Sequence, residues 1–134
     1  MRLNNKTAIV TGGGSGFGAG IARKFASEGA QVMVVDLNLD AAKAVAAEIG
    51  GIAQRANVAD GADVKAMAKA AFDAFGTLDI LVNNAGFAIP AEIDNELYAI
   101  SWDTSLAVMA TAQAWAISAR ASCLARGRQT MAAA

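Results

Sequence analysis

The sequence predicts an α/β fold, a parallel sheet with helices on both of its faces. Three observations carry that expectation. Short β-rich runs alternate with helical stretches of roughly 10–15 residues, the rhythm of βαβ units. Glycines punctuate most of the changes from one element type to the next. The runs KTAIVT and QVMVVD are apolar almost throughout, as strands covered on both faces are.

Taken in order, Lys6–Thr11 is the first expected strand, stopped by three glycines. A helix follows over Gly16 to Glu28, with Ile21, Ala22 and Phe25 at helical spacing and Gly29 as its terminator. Gln31–Asp36 is the second buried strand. Asp40–Ile49 is Ala-rich with its charges to one side, a helix closed by Gly50-Gly51. Ile52–Val58 is a weaker third strand. Asp60 is a suitable N-cap for a helix whose apolar face is Val64, Ala68, Ala71, Phe72 and Phe75, ended by Gly76. Leu78–Val82 is the fourth strand, stopped by Asn83-Asn84-Ala85-Gly86. Right-handed crossovers between parallel strands then place helices on both faces.

Beyond Gly86 the character changes. Acidic residues end at Asp103, and Thr104 to Ala134 holds three arginines and eleven alanines. Ser101–Ile117 has the pattern of an amphipathic helix. Residues 118–134 carry no strand signal and are expected to be a frayed helix end or a disordered tail. The expected organisation is one domain over residues 1–117 with a biased tail over 118–134. At 134 residues and 55% apolar composition the chain has enough material for one core. Its 34 alanines bury little surface each.

Composition removes several classes of function. The net charge of -1 and pI near 5.3 leave no basic stripe for nucleic acid. The absence of histidine removes His bases, His metal ligands and Ser-His-Asp triads. Cys123, the one cysteine, forms neither an internal disulfide nor a CxxC metal site. The first residues lack an apolar signal-peptide core, and Leu106–Ile117 is shorter than the roughly 20 residues of a membrane span. The expected setting is soluble, reducing and cytoplasmic, with no membrane partner.

Chemistry concentrates in Thr11-Gly12-Gly13-Gly14-Ser15-Gly16-Phe17-Gly18, between an expected strand and an expected helix. Glycines permit the tight turn and the approach of backbone to a pyrophosphate. The helix N-terminus offers free N–H groups and partial positive charge. Asp36 ends the second strand, 18 residues after Gly18. Its carboxylate suits the two hydroxyls of an adenosine ribose and repels a 2′-phosphate. Leu37, Asn38 and Leu39 follow without a cation, and Ser15 in the turn is uncharged. NAD(H) is therefore expected in preference to NADP(H).

Residues 5 to 86 resemble the N-terminal part of a short-chain dehydrogenase/reductase. TGGGSGFG has that family's TGxxxGxG spacing, and Asn83-Asn84-Ala85-Gly86 matches its NNAG motif. The resemblance implies a partial Rossmann-type doubly wound sheet of about four strands in the order 3-2-1-4. It implies a cofactor site drawn from Gly12, Gly14, Ser15, Gly16, Phe17, Gly18, Asp36, Leu37, Asn57, Val58, Asn83, Ala85 and Gly86. Asn57-Val58 stands where the family often has Asp-Val beside the adenine. An alcohol or carbonyl substrate is implied with it.

The resemblance does not extend to the family's acid–base apparatus. Family members carry a tyrosine, a lysine four residues later and an earlier serine. Here the only tyrosine is Tyr98, followed four residues on by Trp102, and no lysine occurs after Lys69. Ser118 and Ser122 have no tyrosine partner, so no catalytic residue is assigned. The expected properties are dinucleotide binding without turnover, with a frameshift or truncation near Ala114 as the suggested origin. Strand Leu78–Val82 is expected to be an exposed apolar edge and a route to self-association. The alternatives are a non-enzymatic nucleotide-binding or interaction module and a non-functional fragment.

Overall fold

In the computed structural model the described residues are 1–86. The helix expected over Ser101–Ile117, the tail 118–134, Tyr98 and Cys123 lie outside them. The elements run β1 (Thr7–Thr11), α1 (Gly16–Ser27), β2 (Gln31–Asp36), α2 (Leu39–Ile49), β3 (Ile52–Arg55), α3 (Gly61–Phe75) and β4 (Ile80–Val82). The four strands form one parallel sheet in the order β3-β2-β1-β4. Thr7 to Thr11 pair with Gln31 to Val35, and Ala8, Ile9 and Val10 pair with Ile80, Leu81 and Val82.

Strand parity divides the core. Ile9, Met33, Val35 and Leu78 pack on one face against Val64, Met67, Ala68 and Ala71 of α3. Those four α3 residues fall at i, i+3, i+4 and i+7, one stripe of a helix. Val10, Val32 and Val34 pack on the other face against Ala19 and Ala22 of α1 and Ala42, Val45 and Ala46 of α2. Every residue of β1 is buried, which is why its sequence shows no polar alternation. Small alanines on α1 and α2 let these helices approach the sheet closely.

Two buried threonines bracket β1 and fasten β4 to it. At the N-terminal end, Thr7 N–H donates to Asp79 Oδ2 at 2.9 Å, and Thr7 Oγ1 donates to the Thr77 carbonyl at 3.0 Å. At the C-terminal end, Thr11 Oγ1 donates to the Val82 carbonyl at 3.1 Å. The same oxygen accepts from Asn84 N–H and Ala85 N–H, each at 3.1 Å. One hydroxyl thereby fills its single donor and both acceptor positions.

The observed ends differ from those expected where side chains take over the backbone's hydrogen bonds. β3 stops at Arg55, not Val58: beyond the Ala56 N–H bond to the Asp36 carbonyl, Asp63 captures Asn57 N–H at 2.8 Å. β4 begins at Ile80, since Asp79 is engaged with Thr7. α2 gains Leu39 because Asn38 caps it, accepting from Ala41 N–H at 3.1 Å. Asp60 caps α3 by accepting from Ala62 N–H at 2.9 Å. Gly50 and Gly76 close α2 and α3 in left-handed conformations. Leu78 corrects one expectation: placed on an exposed edge by its sequence, it is fully buried under α3.

Candidate functional site

The sheet order sets the site. β2 and β4 flank β1, so the turn after β1 meets the ends of both neighbours at the carboxyl edge of the sheet. A cleft of about 410 Å³ opens there. Its walls are Gly12, Ser15 and Phe17 from the turn and α1, and Val35, Asp36 and Leu37 from the end of β2. Ala56, Asn57 and Val58 follow β3, and Asn84, Ala85 and Gly86 follow β4. Asp36 is the only charged residue among these.

The glycine turn is held by close packing. Gly12 has φ +63°, and a Cβ on it would lie 2.8 Å from Ala85 Cα. A Cβ on Gly18 would lie 2.1 Å from the Gly12 carbonyl oxygen. The turn therefore folds back on the first turn of α1 with no room for a side chain at either position. Asn84 Nδ2 donates to the Thr11 and Gly12 carbonyls at 3.2 and 3.3 Å, clamping the turn to the end of β4.

The start of α1 is left open to a ligand. Its N-cap, Ser15, makes no side-chain capping bond, and its first turn holds no acid. The first N–H groups of a helix have no partner within it, so an anion placed there gains both hydrogen bonds and the helix dipole. Ser15, Gly16 and Phe17 are exposed, with Phe17 at 89%.

Asp36 is pre-positioned. Its Oδ2 accepts from Gly14 N–H and its Oδ1 from Asn38 N–H, both at 3.0 Å. A Cβ on Gly14 would stand 2.9 Å from Oδ2 and 3.0 Å from Ala41 Cβ, so the bare glycine admits the carboxylate. Each oxygen keeps a lone pair for a ligand. Leu37, 58% exposed, continues the rim beyond it.

Of the residues singled out in the sequence, Gly12, Ser15, Phe17, Asp36, Leu37, Asn57, Val58, Ala85 and Gly86 are brought together around this cleft. Gly14, Gly16, Gly18 and Asn83 are not on its walls. Gly14 and Gly18 act from behind, by the spaces they leave. Asn83 is exposed, whereas its neighbour Asn84 lies against the glycine turn. Val35, Ala56 and Asn84 are wall residues that motif reading passed over. Strand parity was the available signal for Asn84: Val82 packs on the α1 face of the sheet, and Asn84 continues its side of the pleat. Among the described residues there is no cluster of three or more His, Cys, Asp or Glu suited to a metal, and no helix long and apolar enough to cross a membrane.

Comparison with known proteins gives this geometry a context. The chain is 48% identical over 115 residues to D-threitol dehydrogenase of Mycolicibacterium smegmatis, a match covering 81% of this chain and 43% of that protein. It is 45% identical over 96 residues to galactitol 2-dehydrogenase of Agrobacterium fabrum, covering 70% and 38%. The chain thus spans less than half the length of these curated relatives. Among solved structures, a short chain dehydrogenase from Burkholderia cenocepacia in complex with NADP superposes with a TM-score of 0.85 at 38% identity, covering 90% of this chain and 51% of that one. A 3-ketoacyl-(acyl-carrier-protein) reductase from Brucella melitensis complexed with NADH superposes with a TM-score of 0.81 at 38% identity, covering 86% and 48%. The short chain dehydrogenase family model matches residues 6–131, and the chain belongs to that family of Rossmann-fold, NAD(P)-binding oxidoreductases.

Proposed function

We propose that this chain binds NAD(H) in preference to NADP(H), with Asp36 as the residue that decides between them. The observation that carries the reading is the anchored carboxylate of Asp36, the one charged group in the cleft wall among the described residues. In this reading the pyrophosphate lies over the glycine turn at the open end of α1, held by the N–H groups that follow Ser15. Gly12, Gly14, Gly16, Phe17 and Gly18 shape that seat. The adenosine ribose lies against Asp36, and the base lies between Leu37 and the Asn57-Val58 turn. Ala85 and Gly86 belong to the wall on the other side of the turn, and Asn83 precedes them in the chain, outside that wall. The residues present fit such a ligand, because a Cβ would fill the space the glycines leave and no side chain caps α1.

The electrostatic case for preference is direct. A 2′-phosphate set about 4 Å from a carboxylate costs roughly 4 kcal/mol per pair of unit charges at the effective dielectric of a protein surface. Among the described residues no lysine or arginine stands in the cleft wall to offset it. The nicotinamide supplies hydride exchange with a CH–OH or C=O carbon, the reaction class we assign from the dehydrogenases named above. Within these 134 residues the only tyrosine, Tyr98, lacks a lysine four residues on. We therefore expect this polypeptide by itself to bind the cofactor without turning it over. Among the described residues β4 pairs on one side only, with β1, and self-association through strand 78–82 remains part of the proposal.

Titration of the purified chain with NADH and NADPH, followed by nicotinamide fluorescence, tests the reading. NADH is expected to bind at least tenfold more tightly, a difference of about 1.4 kcal/mol. Asp36→Asn keeps the shape and removes the charge, and should bring the two affinities together. Equal affinities in the unaltered chain, or an unchanged ratio in Asp36→Asn, would refute it.

A further inference from the structure

Arg55 ends β3 directly beside Asp36, its partner in the register of β2 and β3. Neighbouring strands lie about 4.8 Å apart, a gap that an arginine side chain exceeds. The pleat also gives both residues the same face. Val34 and Ala53, each two residues earlier, pack on the side of α1 and α2, so Asp36 and Arg55 start from that side. Arg55 nevertheless does not line the cleft. Its guanidinium lies 3.9 Å from Asp63 Oδ2, in the first turn of α3, which covers the opposite face. Among the described residues β3 is the outermost strand, so the side chain reaches Asp63 around the edge of the sheet. Asp63 Oδ2 is fixed in turn by Asn57 N–H at 2.8 Å.

The hold on Arg55 is loose. Its side chain is 57% exposed, and a 3.9 Å separation is beyond hydrogen-bond distance. Exposed pairs of this kind restrain their partners weakly. A phosphate monoester on a ribose 2′ oxygen would carry about 1.5–2 negative charges near neutral pH, more than a single carboxylate. A guanidinium is also the side chain whose fork matches phosphate oxygens. Arg55 therefore stands between two anions, one built into α3 and one that a ligand would bring.

We propose that Arg55 is the cation that answers a 2′-phosphate, and that Asp63 sets how much of it is available. Asp36 makes the preference for NADH, and Arg55 limits its size. The inference rests on the placement of the adenosine ribose against Asp36 in the reading above. In it Asp63 is a positioning residue, acting on the ligand only through Arg55.

The test is a fluorescence titration of the full chain with NADH and NADPH, unaltered and as Arg55→Gln, Asp63→Asn and the double variant. Asparagine at position 63 keeps an oxygen for Asn57 N–H, and circular dichroism melts check that each variant is folded. Arg55→Gln should weaken NADPH about threefold and leave NADH unchanged, a change within the range of an exposed charge pair. Asp63→Asn should tighten NADPH by a similar factor, again without moving NADH. In the Arg55→Gln background the Asp63→Asn effect should disappear, which a purely structural role for Asp63 would not produce. Both shifts should vanish at about 1 M salt, where screening acts over about 3 Å. An unchanged NADPH affinity in Arg55→Gln overturns the inference. So does an Asp63→Asn effect that persists without Arg55. Equal affinities for NADH and NADPH in the unaltered chain, with these shifts present, overturn the assignment to Asp36 and leave that to Arg55 standing. Flat titrations with both ligands overturn the dinucleotide reading and this inference together.

Discussion

Gly18 and Gly20 lie two residues apart on α1, and the same substitution at each should have opposite effects. A Cβ on Gly18 would stand 2.1 Å from the Gly12 oxygen, 2.7 Å from the Gly12 carbon and 2.6 Å from Asn84 Nδ2. Two of these are backbone atoms, and the third is held by hydrogen bonds to Thr11 and Gly12. None yields cheaply. Forcing a methyl into a filled core costs about 1–3 kcal/mol, and an overlap this deep belongs at or beyond the upper end. Alanine returns about 0.5–1 kcal/mol as a better helix former, leaving a net loss of about 2 kcal/mol or more for Gly18→Ala. A Cβ on Gly20 would meet nothing within 4 Å among the described residues, so Gly20→Ala should keep the propensity gain alone. Both changes restrict the unfolded chain equally, so comparing them cancels that contribution. At roughly 4–8 °C per kcal/mol for a domain of this size, Gly18→Ala should melt about 10 °C below the unaltered chain and Gly20→Ala a few degrees above it. Far-UV circular dichroism melts, repeated as urea titrations, measure this. Gly18→Ala should also blunt NADH binding by displacing the glycine turn. If Gly18→Ala melted alongside the unaltered chain, the packing of turn against helix described above would be wrong.

Two further expectations concern the ties at the edges of the sheet. Thr11→Val keeps the shape of a residue that is 1% exposed but strips the hydroxyl from the Val82 carbonyl and from the N–H groups of Asn84 and Ala85. With about 1–3 kcal/mol for each buried group left unpaired, a loss of about 2–4 kcal/mol is expected, and Thr11→Ser should recover most of it in the same urea titration. Glu28 holds its carboxyl lowered to about 2, chiefly through its hydrogen bond with Lys24, then through the Arg2 N–H. Because its folded value lies below the ordinary value of 4.5, its contribution is complete above pH 4.5 and disappears as pH falls from there toward 2. Glu28→Gln should therefore show a shallower fall in urea midpoint across that window. A slope identical to that of the unaltered chain would count against the pairing.

Much of the fold was legible because it follows from local chemistry. KTAIVT and QVMVVD are too uniformly apolar for one-sided strands, and a strand covered on both faces needs helices above and below. Asp60, Gly50 and Gly76 marked helix ends through a capping oxygen and two positive-φ positions, which are properties of those residues wherever they stand. The strand order came instead from a resemblance of motifs. The ends of β3 and β4 were misplaced because Asp63 and Asp79, distant in sequence or on another element, take hydrogen bonds that a ladder would otherwise use. Met67 was overlooked in the α3 face for a plainer reason, since a flexible methionine in a lysine-flanked stretch gives a weak signal of burial.

By itself, then, the sequence determined which residue types would converge on one turn: glycines, a helix start and an acid one strand later. Those are constraints of spacing and backbone freedom, and they survive without coordinates. Only the tertiary structure decided how these groups are held. It alone shows that Gly14 is bare so that Asp36 can reach its N–H, and that Asn84 rather than Asn83 clamps the turn. It alone shows that Asn57 Oδ1 accepts from Ala59 N–H, which sets the direction of its amide. Each of these depends on which way a side chain faces, and facing is set by the pleat, the crossovers and the packing of elements far apart along the chain.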